Sequence, residues 1–294
     1  MIDIVDTHLH IWDPVTRRLP WLDVEGPILN RAWSVADYQD AAARDHGYRI
    51  AQAVYIEVDI DPAEREAENE DIVDTIRRHD TPIVAACISG DLRTSQFAEY
   101  IGRWANNKEV KGVRQVLHVP SAKPGTCLSE QFAQNVRLLG KLGLVFEGCV
   151  RNPELPDLAT LARRCPDTTI VLDHMGIVDA DIMGDTAPTA DERAYQERYV
   201  KNMRDLGSLD NVVCKVSGLN PVRKWSMESL QRSVDVAFET FPADRVMFAS
   251  NFPVLNVSMT LDEWICSMLE ISNGMGEHDR TALFSGNARR VYGI

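Results

Sequence analysis

His8 and His10 are two residues apart, and Asp6 is two before them. In an extended strand, residues at that spacing point to one face. Two imidazoles side by side form a chelating or acid–base pair. The plain alternative is a pair of core histidines with satisfied hydrogen bonds, but an Asp at the same spacing on a buried strand favours chemistry. Trp12 follows the pair, and Pro14 ends the run because it cannot donate to a ladder. Further along, polar residues interrupt or end apolar runs: Glu57, Arg114, His118, Glu147, His174, Lys215 and Asn251. Burying so many ionisable groups is costly unless they pair, hold a metal or meet a ligand. For Glu57 and Arg114, an internal ion pair that only shapes the fold is the simplest alternative. His46, His79 and His278 lie on expected helices or turns and read as surface residues.

The elements that must position these groups alternate strand and helix. Strands are expected within Ile2–Pro14 and at Ile50–Val58, Pro82–Ser89, Val110–His118, Leu144–Val150, Thr169–Met175, Asn211–Ser217 and Arg245–Val254. They are continuous apolar runs, as expected when both faces are buried. Helices are expected at Val35–His46, from Asp61-Pro62 to His79, and at Thr94–Asn106, Ser129–Leu142, Pro153–Arg164, Asp191–Leu206, Ser226–Thr240, Thr260–Ser272 and Glu277–Tyr292. Eight such alternations with short joints predict an α/β fold, a (β/α)8 TIM barrel forming one domain over residues 1–294. An open doubly wound sheet is the runner-up, but the first strand–helix turn lacks a glycine-rich dinucleotide fingerprint. In a barrel the site lies at the C-terminal ends of the strands, where the polar residues above fall. The segment Val15–Ser34, with Trp21 and Trp33, is expected to fold over a pocket or to pack down on itself.

The net charge of −13 and the absence of a Lys/Arg run argue against nucleic acid. No apolar run approaches a membrane span. The six cysteines show no C-x-x-C, and the N-terminus lacks a basic stretch followed by an apolar one, so a reducing cytoplasmic setting is expected.

Several motifs in this order resemble the amidohydrolase superfamily. They are His8-x-His10 with Trp12-Asp13-Pro14, Leu19-Pro20-Trp21, Gly112-Val113-Arg114, Asp173-His174-x-Gly176, Lys215-x-Ser217-Gly218, Ser250-Asn251-Phe252-Pro253 and Gly286-Asn287-Ala288. The nearest likeness is to its lactonase branch, the sugar lactonases and 2-pyrone-4,6-dicarboxylate lactonase, and it spans nearly the whole chain. The resemblance implies attack by water on a cyclic ester, with a small-molecule lactone or carboxylate as partner and self-association left open. It implies that His8, His10 and His174 bind one divalent metal, Zn2+ by ligand type, or polarise the carbonyl directly. No organic cofactor is implied. Arg114 and Lys215 would hold a carboxylate or the developing oxyanion, Glu57 would contact metal or substrate, and Glu147, His118 and Trp12 would line the substrate site. Apart from the resemblance, Arg151, Arg223 and Lys224 follow strands five and seven on loops that would ring the pocket mouth, which points to an anionic substrate or product, although for any single one a solvated loop charge is the simpler reading. Asn251 departs from the family, whose relatives carry Asp there as the base for water. An amide cannot accept a proton near neutral pH, so another group must serve, with Glu57, Glu147 and His174 as candidates, or less base is needed, or activity is lost. A metal-dependent decarboxylase and a catalytically reduced sugar-acid binder are the alternative functions. The decarboxylase would want a His on strand five and an Asp on strand eight.

Overall fold

The computed structural model describes residues 1–43, 46–220 and 225–294. Eight strands form one parallel sheet in sequence order: β1 Ile2–Leu9, β2 Tyr48–Ile56, β3 Ile83–Ser89, β4 Val110–Val116, β5 Val145–Cys149, β6 Ile170–Leu172, β7 Val212–Val216 and β8 Val246–Phe248. The ends meet where Leu9 bridges Phe252, and the Asn251 N–H donates to the His8 carbonyl at 2.9 Å. The result is the single-domain (β/α)8 barrel expected from the alternation.

Most of the strands are shorter than the apolar runs that announced them. His174 and Asn251 stand just past β6 and β8, and His118 stands just past β4. These side chains therefore sit on strand-exit turns, where backbone direction is free to aim them. The helix expected over Val35–His46 spans Val35–Ala42, and its residues 44 and 45 lie outside the described ones, as do Arg223 and Lys224. The last expected helix is broken into Glu277–Thr281 and Asn287–Tyr292 by a wide π-type turn. Helix starts follow their caps: Ser34, Thr189, Ser226 and Thr260 each form a reciprocal capping box.

Two apolar layers result. The larger packs the helices onto the outside of the sheet. The smaller plugs the barrel, with Val5, Val54, Cys87, Val145, Val171, Val213 and Met247 meeting Ala288 and Tyr292 from the Asn287–Tyr292 helix. The plug is tight: a Cβ added at Gly112 would fall 2.5 Å from a Val145 methyl. One step of strand alternation above it come Arg114, Glu147, Asp173 and Lys215. The plug therefore sets the floor on which the ionisable layer rests.

β1 departs from regular pairing between Asp6 and Leu9, which corrects the expectation that Asp6 shares a face with His8 and His10. The buried Asp6 carboxylate instead accepts the Ser250 N–H and the Tyr38 hydroxyl, both at 2.8 Å, and braces β1 to the β8 exit. Tyr38→Phe should lower the unfolding free energy by about 1–3 kcal/mol, since a buried acceptor loses its donor. Urea unfolding checks this, and an unchanged midpoint would show the contact to be idle.

Candidate active site

β1 delivers His8 at its end and His10 one residue beyond, both buried. Their Nε2 atoms are 3.1 Å apart. His10 Nδ1 lies 2.8 Å from the Ile56 carbonyl, which can only accept, so Nδ1 carries the proton and the Nε2 lone pair faces His8. Two lone pairs at that distance repel, so the gap calls for one shared proton or one cation.

His174 is aimed by an unusual turn. His174, Met175, Gly176 and Ile177 all have left-handed φ, from 50° to 73°. This turn brings the His174 ring centroid to 4.4 Å from that of His8 and its Nδ1 to 2.9 Å from the Ser217 hydroxyl. Gly218 is what lets the ring lie there, because its φ is +69° and a Cβ on it would fall 2.6 Å from the His174 Cβ. Asn251 also has left-handed φ, 61°, which Asn tolerates better than most residues.

Beneath the histidines lies a buried charge network. Lys215 Nζ is 2.5 Å from Glu147, 3.4 Å from Asp173 and 3.4 Å from His8 Nδ1. Glu147 also accepts the Tyr292 hydroxyl at 2.5 Å. Arg114 donates to the Glu57 carboxylate at 2.6 Å and to the Glu57 carbonyl at 2.5 Å, and its remaining nitrogen lies 3.4 Å from His8 Nε2. Asp173 Oδ1 approaches His8 Nδ1 at 3.3 Å, yet among the described residues neither of its oxygens has a well-formed hydrogen bond. Burial pushes the Asp173 carboxyl up, but Lys215 and His8 outweigh it and hold the group well below the usual carboxylate range. Burial pushes His8 and His10 well below the ordinary imidazole value, with Arg114 adding to the effect on His10. Burial brings His174 down to about 3, against the pull of Asp173. The three imidazoles are thus neutral near pH 7 and serve as ligands or hydrogen-bond partners.

Above this network opens a cavity of about 450 Å³. His10, Arg114, His118, His174, Asn251 and Trp12 line it, six of the residues read from the sequence. The 15–34 segment does both things expected of it. It contributes Trp21, Val24, Glu25 and Leu29 to the cavity wall, and it is pinned by Trp21 Nε1 to the Val58 carbonyl at 2.8 Å and by Trp12 Nε1 to the Arg31 carbonyl at 2.8 Å.

Glu57, Glu147 and Lys215, expected to touch substrate, are not among the residues of that wall. They are buried and spent on one another's charge: Glu57 on Arg114, Glu147 on Lys215. His8 lies on the same buried level. Arg151, expected at the mouth, is held by Glu154 at 2.5 Å and by the Val119 and Ala122 carbonyls. Two acids were missed. Asp173 was signalled only by standing next to His174 at a strand end. Asp59 lines the cavity just past β2 and carried no signal beyond its place after Glu57. Burial and the Glu57 charge raise Asp59 to about 6.

His8, Asp173 and His174 each offer one ligand atom, all within 4.8 Å of one another. This set differs from the expected His8, His10 and His174 by exchanging His10 for Asp173. Its chemistry fits a single divalent ion: two neutral imidazoles and a carboxylate whose buried oxygens lack good hydrogen bonds.

Comparison with known proteins agrees with this architecture. The chain is 26% identical to L-fucono-1,5-lactonase of Burkholderia multivorans, covering 99% of this chain and 96% of that protein. It is 28% identical to the solved structure of amidohydrolase 2 from Bifidobacterium longum subsp. infantis, with a TM-score of 0.74 and full coverage of both chains. An amidohydrolase from Burkholderia multivorans solved with bound zinc superposes with a TM-score of 0.83 at 22% identity, over 99% of each chain. The model of the amidohydrolase family matches residues 5–294, and the chain belongs to that family.

Proposed function

We propose that this protein is a hydrolase that opens a lactone, either of a sugar acid or of a ring bearing a carboxylate. The observation that carries the reading is the Arg114 guanidinium on the wall of a cavity whose other polar lining includes the neutral His10 and His174 imidazoles. Glu57 takes two of the Arg114 nitrogens, and the N–H groups of the third, on the His8 side, are the donors that a developing oxyanion could use. The kinship with a protein named L-fucono-1,5-lactonase supports the ester class.

In this reading the lactone carbonyl oxygen points at Arg114. Water attacks the carbonyl carbon and gives up a proton to a base, the ring C–O bond breaks, and the departing ring oxygen takes that proton back from the base, leaving a hydroxy acid. The His10 ring forms part of the wall beside the reactants, with its Nε2 lone pair turned to His8. Asn251 orients the water through its amide, and it cannot take the water's proton. Asp59 takes that proton: Glu57 and Glu147 are committed to cations, and of the two wall carboxylates, Asp59 and Glu25, Asp59 is the one that burial and the Glu57 charge raise to about 6. His8, Asp173 and His174 would hold a divalent ion, zinc by its nitrogen and oxygen donors, and such an ion when bound lowers the pKa of water. The zinc in a related structure supports that choice of ion.

Incubation with L-fucono-1,5-lactone, other aldonolactones and carboxylated lactones should release acid in a pH-stat. A rise in Tm with no acid release would instead mark a binder and overturn the reading. Asp59→Asn should lower kcat by about 10²–10⁴-fold, the range for loss of a general base. The sign of the pH effect follows from Asp59 accepting protons only when ionised. The wild-type rate should therefore fall as pH drops below about 6, and Asp59→Asn should lose that limb. Asn251→Asp should bring no large gain; a large gain would mean the working base has been lost from strand eight. Dialysis against a chelator should abolish turnover and added zinc should restore it, whereas full activity in metal-free protein would remove the ion from the mechanism.

A further inference from the structure

A second ligand cluster lies outside the barrel, where the lead-in to β2 meets the Leu261–Ile271 helix. His46 Nδ1 is 2.8 Å from Asp262 Oδ1, and Cys266 Sγ is 3.7 Å from the same nitrogen and 3.8 Å from the same oxygen. Asp262 and Cys266 are four residues apart, so they share one helix face. Tyr48, the first residue of β2, donates its hydroxyl to that carboxylate oxygen at 2.8 Å. His46 is exposed, and Asp262 and Cys266 are half-buried, so an ion can reach all three.

The spacing has a specific meaning. With zinc–nitrogen and zinc–oxygen bonds of about 2.0–2.1 Å and a zinc–sulfur bond of about 2.3 Å, a tetrahedron places sulfur about 3.6 Å from each lighter ligand. The same tetrahedron places nitrogen and oxygen about 3.3 Å apart. The two sulfur edges lie within a few tenths of an ångström of that figure. The shorter third edge is the hydrogen bond that joins His46 to Asp262 and would lengthen on binding.

We propose that His46, Asp262 and Cys266 bind a zinc-class divalent cation, with water in the fourth position. Binding is a proton exchange with no redox step. The Cys266 S–H bond breaks and its proton goes to solvent, the His46 ring proton moves from Nδ1 to Nε2, and three dative bonds form. The Tyr48 hydroxyl stays on Asp262 and fixes its orientation, the usual work of a partner behind a ligand. The ion ties the start of β2 to a helix 216 residues away in the chain and so acts as a clamp, independent of the reading given to the barrel mouth.

Cobalt(II) chloride added to the metal-free full chain tests the site. A thiolate-to-cobalt charge-transfer band should appear and saturate. His46→Ala and Cys266→Ser should each abolish it, weaken zinc binding by about 100-fold or more, and remove the rise in Tm that zinc confers through this site. Acid release from lactones should be unchanged in both variants. Ions at the His8, Asp173 and His174 site have no thiolate ligand and give no such band, so the two sites report separately. The absence of a thiolate band in folded wild-type protein overturns the proposal, as does a band that survives in both variants. If Cys266→Ser fails to fold, His46→Ala decides alone, because that side chain is exposed.

Discussion

Charge placed where water cannot reach it organises this molecule. Asp173, Glu147 and Lys215 have no measurable exposure, and Arg114 and Glu57 have almost none. Each would be ruinous alone, since an isolated buried ion costs several kcal/mol even after relaxation. Lys215 answers Glu147 and Arg114 answers Glu57, and these two pairs close their own accounts geometrically. Asp173 remains as the surplus acid, held ionised by Lys215 and His8 without a good hydrogen bond of its own. The surplus points toward the histidines, so the negative charge left over from folding is delivered to the place where chemistry can use it.

The barrel makes that delivery by alternation. Val145, Val171 and Val213 fill the plug, and two residues later come Glu147 and Lys215 on the same strands and Asp173 just past the end of β6. One period of the pleat separates a dry floor from a charged layer. The strands end almost at once, and the exits carry side chains at angles no strand would allow. The left-handed turn at His174 and the left-handed Asn251 are both of this kind. Ser217 and Gly218 serve the same purpose from β7, one as a hydrogen-bond partner and the other by having no side chain to obstruct the ring.

The fold was legible because eight apolar runs separated by capped helices admit few arrangements, and His8, His10, Arg114, His174 and Asn251 were legible because polar residues at the ends of buried strands are expensive. Sequence parity could not show which charged residues face the cavity and which sit below it. Lys215 and Arg114 look alike on that test, but one is sealed under the site and the other lines it. Asp6 was misplaced because the irregular pairing after it cannot be seen in a pattern of period two. Asp59 was missed because it stands on a turn with left-handed φ, where no periodicity applies.

The Tyr292 hydroxyl reaches Glu147 from below, and the same helix supplies Ala288 to the plug. β5 and this helix therefore belong to one electrostatic unit although 145 residues separate Glu147 from Tyr292. During synthesis, β1 through β8 are all made before that helix is available. Until it docks, Glu147 has Lys215 and the Cys87 thiol as donors but lacks the Tyr292 hydroxyl, and the floor lacks two of its apolar members. The charge layer is thus closed from below by residues that follow every strand in the chain.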